Sequence, residues 1–156
     1  MLNPIKEIIR FNKEAGLLDN GYDDKLEASF LIEEALEGLI CPDYDYENFP
    51  NSTELTDEFG GLGPKEIART LVNKTAYNNL SDVDRLDKAC DAVVFAIGSM
   101  TKLGLDHHSI TKALNIVMKA NFTKLGQKVD HAGKLSKPAD FVGPEPELQA
   151  LLQQRN

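Results

Sequence analysis

Apolar residues recur along most of this chain at intervals of three and four, the spacing of one helical face. Ile5, Ile8, Ile9 and Phe11 follow it between Pro4 and Ala15, and Gly16 comes next as a stop. Asp23 or Asp24 caps a second helix running to about Ile40 and ended by Cys41-Pro42. Pro64 suits the first turn of a third, which reaches about Tyr77 or Leu80. Ser81 or Asp82 opens a fourth that runs through Met100 to Leu103, with Gly104 behind it. Ser109, ahead of Ile110, Ala113, Leu114 and Val117, starts a fifth, and Glu147 to Gln154 adds a short helix. No run of alternating β-branched residues competes, since Val93-Val94-Phe95 lies inside a long helical period. The pattern predicts an all-α fold: a single-domain antiparallel bundle of about five helices over residues 1–156.

Two stretches break the period. Residues 41–63 are rich in Tyr, Asp, Asn, Pro, Ser and Gly and read as a long irregular loop, a feature that is often functional. From Gly126 to about residue 146, Gly, Pro and Lys punctuate an irregular, basic, ordered tail.

Composition narrows the picture. At 156 residues, with 42% hydrophobic and 27% charged positions, the chain has the length and balance of one ordinary globular domain. No apolar stretch approaches the roughly 20 residues of a membrane span. The opening Met1-Leu2-Asn3-Pro4 lacks the regions of a secretory signal, and Cys41 and Cys90 form no Cys-x-x-Cys pair, so a cytoplasmic location with reduced thiols is expected. A net charge of −8 argues against binding a nucleic-acid polymer, which requires clustered Lys and Arg. It is compatible with nucleotides, because a bound metal ion reverses the local field of an acidic site.

The distribution of the acids says more than their sum. On the second helix, Ala28, Ile32, Ala35, Leu36 and Leu39 form one apolar side. Glu27, Glu34 and Glu37 fall on the other, with Glu33 at its margin and Leu26 and Phe30 among the carboxylates. On the fourth helix, Leu86, Cys90, Val93, Ile97 and Met100 make an apolar stripe, which places Cys90 in the core. Asp84, Asp87 and Asp91 share an arc on the other side, beside Phe95. Like charges at these spacings cost only tenths of a kcal/mol on a wet helix. Across a partly dry groove, each close pair would cost on the order of 4 kcal/mol. Either the faces are solvated or a cation joins them, and Mg²⁺, an octahedral oxygen binder that keeps exchangeable waters, suits the second case.

The order of these segments resembles a known family. Leu31-Ile32-Glu33-Glu34-Ala35-Leu36-Glu37-Gly38 precedes Asp87-Lys88-Ala89-Cys90-Asp91-Ala92-Val93-Val94-Phe95, with Gly98 and Gly104-Leu105-Asp106 behind it. Ile9 to Gly16 stands upstream, while Ala120-Asn121-Phe122-Thr123-Lys124, Gly133-Lys134 and Lys137-Pro138 lie downstream. Together these segments resemble the MazG-like and phosphoribosyl-ATP pyrophosphohydrolase-like all-α nucleotide pyrophosphohydrolases, in particular their small bacterial and phage branch. The resemblance covers about residues 5–146, apart from much of 41–63.

It implies Mg²⁺ (with Mn²⁺ as a substitute) on Glu34, Glu37, Asp87 and Asp91, and Glu33 orienting or deprotonating the attacking water. It also implies phosphate or sugar contacts from Asn121, Lys124, Lys134 and Lys137, and Phe11 and Asn12 near the base. The implied reaction hydrolyses a nucleoside triphosphate, such as a deoxynucleotide, to monophosphate and pyrophosphate in nucleotide-pool sanitation by a homodimer or homotetramer.

The chain departs from the pattern in three ways. Asn12 stands where His is usual, the 41–63 segment is longer than the usual connection, and the Asp87-x-x-x-Asp91 spacing leaves Asp84 as a competing ligand. The Phe141-Val142-Gly143-Pro144 segment is placed to dock on the bundle and help close the site. His107-His108 falls at a helix start with no second ligand set for zinc, and the Glu-x-x-His pairs of a di-iron bundle are missing. The rival reading is a non-catalytic helical module that senses nucleotide or dimerises.

Overall fold

In the computed structural model, residues 2–19, 22–37, 62–74, 80–129 and 134–154 are described. They form six helices: α1 (Pro4–Glu14), α2 (Asp24–Glu37), α3 (Pro64–Lys74), α4 (Asp82–Lys102), α5 (His107–Phe122) and α6 (Glu145–Gln153). The fold is all-α, and among the described residues β-pairing is limited to one isolated antiparallel bridge between Val129 and Leu135. The expected 41–63 loop falls almost wholly outside the described residues, as do 38–40 and 75–79, over which the second and third helices are expected to continue.

Side chains fix the helix starts by meeting the first free N–H groups. Asn3 Oδ1 accepts from the Ile5 and Lys6 amides at 3.0 and 3.3 Å. Asp23 Oδ1 accepts from Lys25 and Leu26 at 2.9 and 3.1 Å. At α4 the capping box is complete: the Asp84 amide donates to Ser81 Oγ at 3.1 Å, and the Ser81 amide donates to Asp84 Oδ2 at 3.2 Å. The fifth helix begins earlier than Ser109. Asp106 is its cap, accepting from the Ser109 amide at 2.8 Å, so Ser109 supplies a donor of the first turn rather than the cap.

Two helices end by the same device. After α1, Leu17 N donates to Asn12 O and Gly16 N to Lys13 O, with Gly16 at φ 69°. After α4, Leu105 N donates to Met100 O and Gly104 N to Thr101 O, with Gly104 at φ 82°. This double closure needs a left-handed residue, which glycine adopts without a Cβ clash.

The chain divides into two compact units, Met1–Gly21 with Ser81–Asn156, and Tyr22–Leu80. In the first, α1, α6 and α4 all pack on α5. Its buried apolar residues are Leu105, Ile110, Ala113, Met118, Ala120 and Leu151. In the second, α2 packs on α3, whose Ala68 is only 1% exposed and leaves room for a close approach.

Burial corrects two readings of the helical wheels. On α2 the fully covered positions are Ser29 and Glu33, four apart, whereas Ala35 of the expected apolar side is exposed. Glu33 thus lies within the covered face and not at the margin of an acidic one. On α4 no residue is buried. Leu86, Val93 and Ile97 are 67%, 56% and 43% exposed, and Cys90, expected in the core, is exposed as a free thiol. An apolar stripe marks a face that requires cover without naming the surface that supplies it. No helix among the described residues is long and apolar enough to cross a membrane.

Candidate functional site

The basic half of the candidate site is built at the C-terminal end of α5. Past Phe122 the chain turns tightly, with Lys124 N donating to Asn121 O and Gln127 N to Lys124 O. It then doubles back: Val129 bridges Leu135, and Ser136 N donates to Lys128 O at 3.0 Å. This return carries Lys137 and Phe141 to the side of Lys124. Lys124 Nζ donates to Asn121 Oδ1 at 2.8 Å and stands 5.1 Å from the centre of the Phe141 ring. Lys137 Nζ lies 5.4 Å from the same centre. Lys124 and Lys137, predicted from separate segments, therefore meet at one aromatic ring, and Asn121 joins them through its bond to Lys124. Lys134 is half-buried on the strand-like return.

Phe11 and Asn12 sit on α1, which packs on α5. The Phe11 ring meets Phe122 edge-on at 5.7 Å and 82°, and the Arg10 guanidinium lies 4.3 Å over the Phe122 ring. Arg10 is held there by Glu7 at 3.2 Å and Glu14 at 3.4 Å. Phe11 is thus part of the α1–α5 packing, one residue from Asn121 through Phe122, and Asn12 is half-buried beside it.

The acidic residues divide between the units. Asp87 and Asp91 are exposed on α4, and Asp87 pairs with Lys88 at 3.2 Å. Those neighbours act in turn on Lys88: its bond to Asp87, then the charges of Asp87 and Asp91, raise its pKa above the ordinary lysine value. Glu33 and Glu34 lie on α2 of the other unit, buried and exposed respectively, and Glu37 closes that helix. Burial, and secondarily the Asp23 charge, push the Glu27 carboxyl up. Among the described residues, no three His, Cys, Asp or Glu side chains are gathered closely enough to hold a metal ion.

Asp84, the competing ligand, has another task. Its carboxylate accepts from the Ser81 hydroxyl at 2.6 Å as well as from the Ser81 amide, and these two bonds hold its pKa below the ordinary 3.8. A carboxyl depressed in the folded state contributes stability that is present above its unfolded pKa and lost as pH falls through the folded one. Melting temperature is therefore expected to fall more steeply below about pH 3.8 for the wild type than for Asp84→Asn, the two curves running parallel from pH 5 to 7. Asp106 is depressed in the same direction by its bonds to the Ser109 amide and hydroxyl.

A separate groove of about 590 Å³ lies between α5, α6 and the residue ahead of α1, lined in part by Leu2, Ile116, Ala150 and Leu151 and rimmed by the Lys119–Glu147 ion pair at 2.7 Å. None of the predicted site residues lines it. The sequence reading missed Phe141 as the centre of the lysine cluster, although it placed the Phe141-Val142-Gly143-Pro144 segment near the site. Comparison with protein-family models, curated proteins and solved structures found no match.

Proposed function

We propose that this chain is a Mg²⁺-dependent nucleotide pyrophosphohydrolase of the MazG-like kind, cleaving a nucleoside triphosphate or related nucleotide to monophosphate and pyrophosphate. The observation that carries the reading is the meeting of Lys124 and Lys137, both expected on phosphates, at Phe141, with Asn121 hydrogen-bonded to Lys124. A polar and cationic cluster of this kind stabilises the charge that builds on a pyrophosphate leaving group. The occupation of Asp84 by the α4 cap also supports the reading, because it leaves Asp87 and Asp91 as the pair of that helix for a metal.

In this proposal Glu34, Glu37, Asp87 and Asp91 would hold Mg²⁺, or Mn²⁺ in its place, which would supply neutralising charge at the phosphates. Glu33 would orient or deprotonate the attacking water. Phe11 and Asn12 lie towards the base, and Lys134 adds to the phosphate contacts. The protein works in the cytoplasm on the nucleotide pool as a homodimer or homotetramer, and the uncovered stripe of α4 supports the self-association. The decisive experiment incubates the purified chain with a panel of ribo- and deoxynucleoside triphosphates and Mg²⁺ and measures released pyrophosphate. Release from at least one nucleotide, abolished by chelator, is expected. No release from any, together with unchanged metal binding by Glu37→Ala, leaves the alternative of a non-catalytic nucleotide-sensing or dimerisation module.

A further inference from the structure

The reading above gives the Phe141 ring no task in binding, yet two ammonium groups converge on it. Lys124 Nζ and Lys137 Nζ stand 5.1 and 5.4 Å from the ring centre, inside the roughly 6 Å at which an aromatic quadrupole attracts a cation. The two lysines reach the ring from different segments: one follows α5, and the other lies beyond the Val129–Leu135 bridge. The ring is itself fixed, half-buried and on a turn closed by the Phe141 amide donating to Pro138 O at 3.1 Å. Lysine is a point charge on a flexible four-carbon stem, and on its own it loses much rotamer freedom when it binds an anion. A ring that already holds two such stems removes part of that loss before the ligand arrives. Sharing one ring centre keeps the two ammoniums close enough for a single di- or triphosphate to reach both. With two cations directed at it, the ring is engaged by the lysines.

We propose that Phe141 is a positioning residue that sets Lys124 and Lys137 as a paired clamp for a di- or triphosphate, and that it takes no part in recognising the base. The proposal rests on the nucleotide reading only for the source of the phosphate. Its test therefore uses inorganic pyrophosphate with the full chain and no divalent metal, so that the acidic helices play no part. By calorimetry, Phe141→Leu is expected to weaken pyrophosphate binding about five- to tenfold, and Phe141→Trp to stay within about twofold of wild type. In wild-type NMR spectra the ε-methylene protons of Lys124 and Lys137 should be shifted upfield by the ring and should move together as pyrophosphate is added, a readout that holds even where the Leu variant fails to fold.

The clamp is overturned by a folded Phe141→Leu chain that binds as tightly as wild type, by a folded Trp variant that fails to rescue, or by wild type that does not bind pyrophosphate. It is also overturned when Phe141→Leu raises KM for some bases and not others. Ring-dependent pyrophosphate binding in a chain that cleaves no nucleotide refutes the enzymatic reading and leaves the clamp standing.

Discussion

In the proposed reaction, Asp91→Asn is expected to lower nucleotide turnover by at least about a thousandfold and to weaken Mn²⁺ binding with it. The substitution keeps the size of the side chain and removes the negative charge. A hard divalent cation takes oxygen ligands and is bound largely by that charge, so an amide is a poor replacement. Asp91 is exposed and has no structural bond among the described residues that its replacement would break, so folding should be unaffected. The neighbouring Asp84 provides the internal control. Asn at position 84 still offers an oxygen to the Ser81 amide, and since that carboxylate serves the capping box rather than the ion, its activity should change by no more than about threefold.

The same variant also asks whether the two acidic helices share one ion. Glu34→Gln alone should match the loss from Asp91→Asn, and the double variant should lose little more than either, because groups that hold one ion act as a unit. Stopped assays for kcat and electron paramagnetic titration of Mn²⁺ give the two readouts. Full activity in Asp91→Asn, or a larger loss in Asp84→Asn, would remove α4 from the metal site. Additive losses in the double variant would assign Glu34 and Asp91 to separate tasks.

Local chemistry made most of the fold readable in advance. Gly16 and Gly104 mark helix ends because each adopts a left-handed conformation in a double closure that the surrounding spacing requires. Ser81 marks a start because its hydroxyl and the Asp84 carboxylate satisfy each other's amides. At the start of α5 the apolar period favours Ser109 as the cap, but the Asp106 carboxylate three residues upstream takes that role.

Long-range facts were harder to read. Glu33 lies on the covered face of α2, and nothing in the α2 sequence alone announces which of its faces another helix will pack on. Cys90 and its stripe looked like core because periodicity reports which residues share a face and says nothing about what covers them. For the site, Asn121 and Lys124 lie three apart across the end of α5, so their hydrogen bond is close to a sequence-level fact. The arrival of Lys137 and Phe141 beside them depends on the chain doubling back at Val129 and Leu135, which periodicity does not encode.

Val93→Glu combined with Ile97→Glu is expected to weaken self-association by at least about a hundredfold, read as a shift towards monomer mass in analytical ultracentrifugation. Val83, Leu86, Cys90, Val93, Val94 and Ile97 occupy one side of α4, and all are exposed. Fully burying a side chain the size of valine or isoleucine is worth about 1.5–3 kcal/mol, and in a two-fold interface each substitution acts twice. Charges argue for an antiparallel arrangement of two copies of α4. Its acids, Asp82, Asp84, Asp87 and Asp91, all fall in the N-terminal half, while residues 92–102 contain none and end in Lys102. A parallel pair would set acids against acids, whereas an antiparallel pair sets them against the partner's acid-free half and opposes the helix dipoles favourably.

Gly98 sharpens the test. A Cβ built there meets no atom of the described residues within 4 Å, so among them nothing requires glycine at a position where it weakens the helix by roughly 0.5–1 kcal/mol relative to alanine. Gly98→Ala should therefore raise the melting temperature of a monomer, and should loosen the assembly only if another backbone approaches that point. A double-Glu variant that keeps the oligomeric mass of wild type would show that the α4 stripe is not the contact between copies. If that variant is monomeric and keeps its helical circular dichroism, the stripe forms the interface, and its activity then shows whether one copy is sufficient for the chemistry.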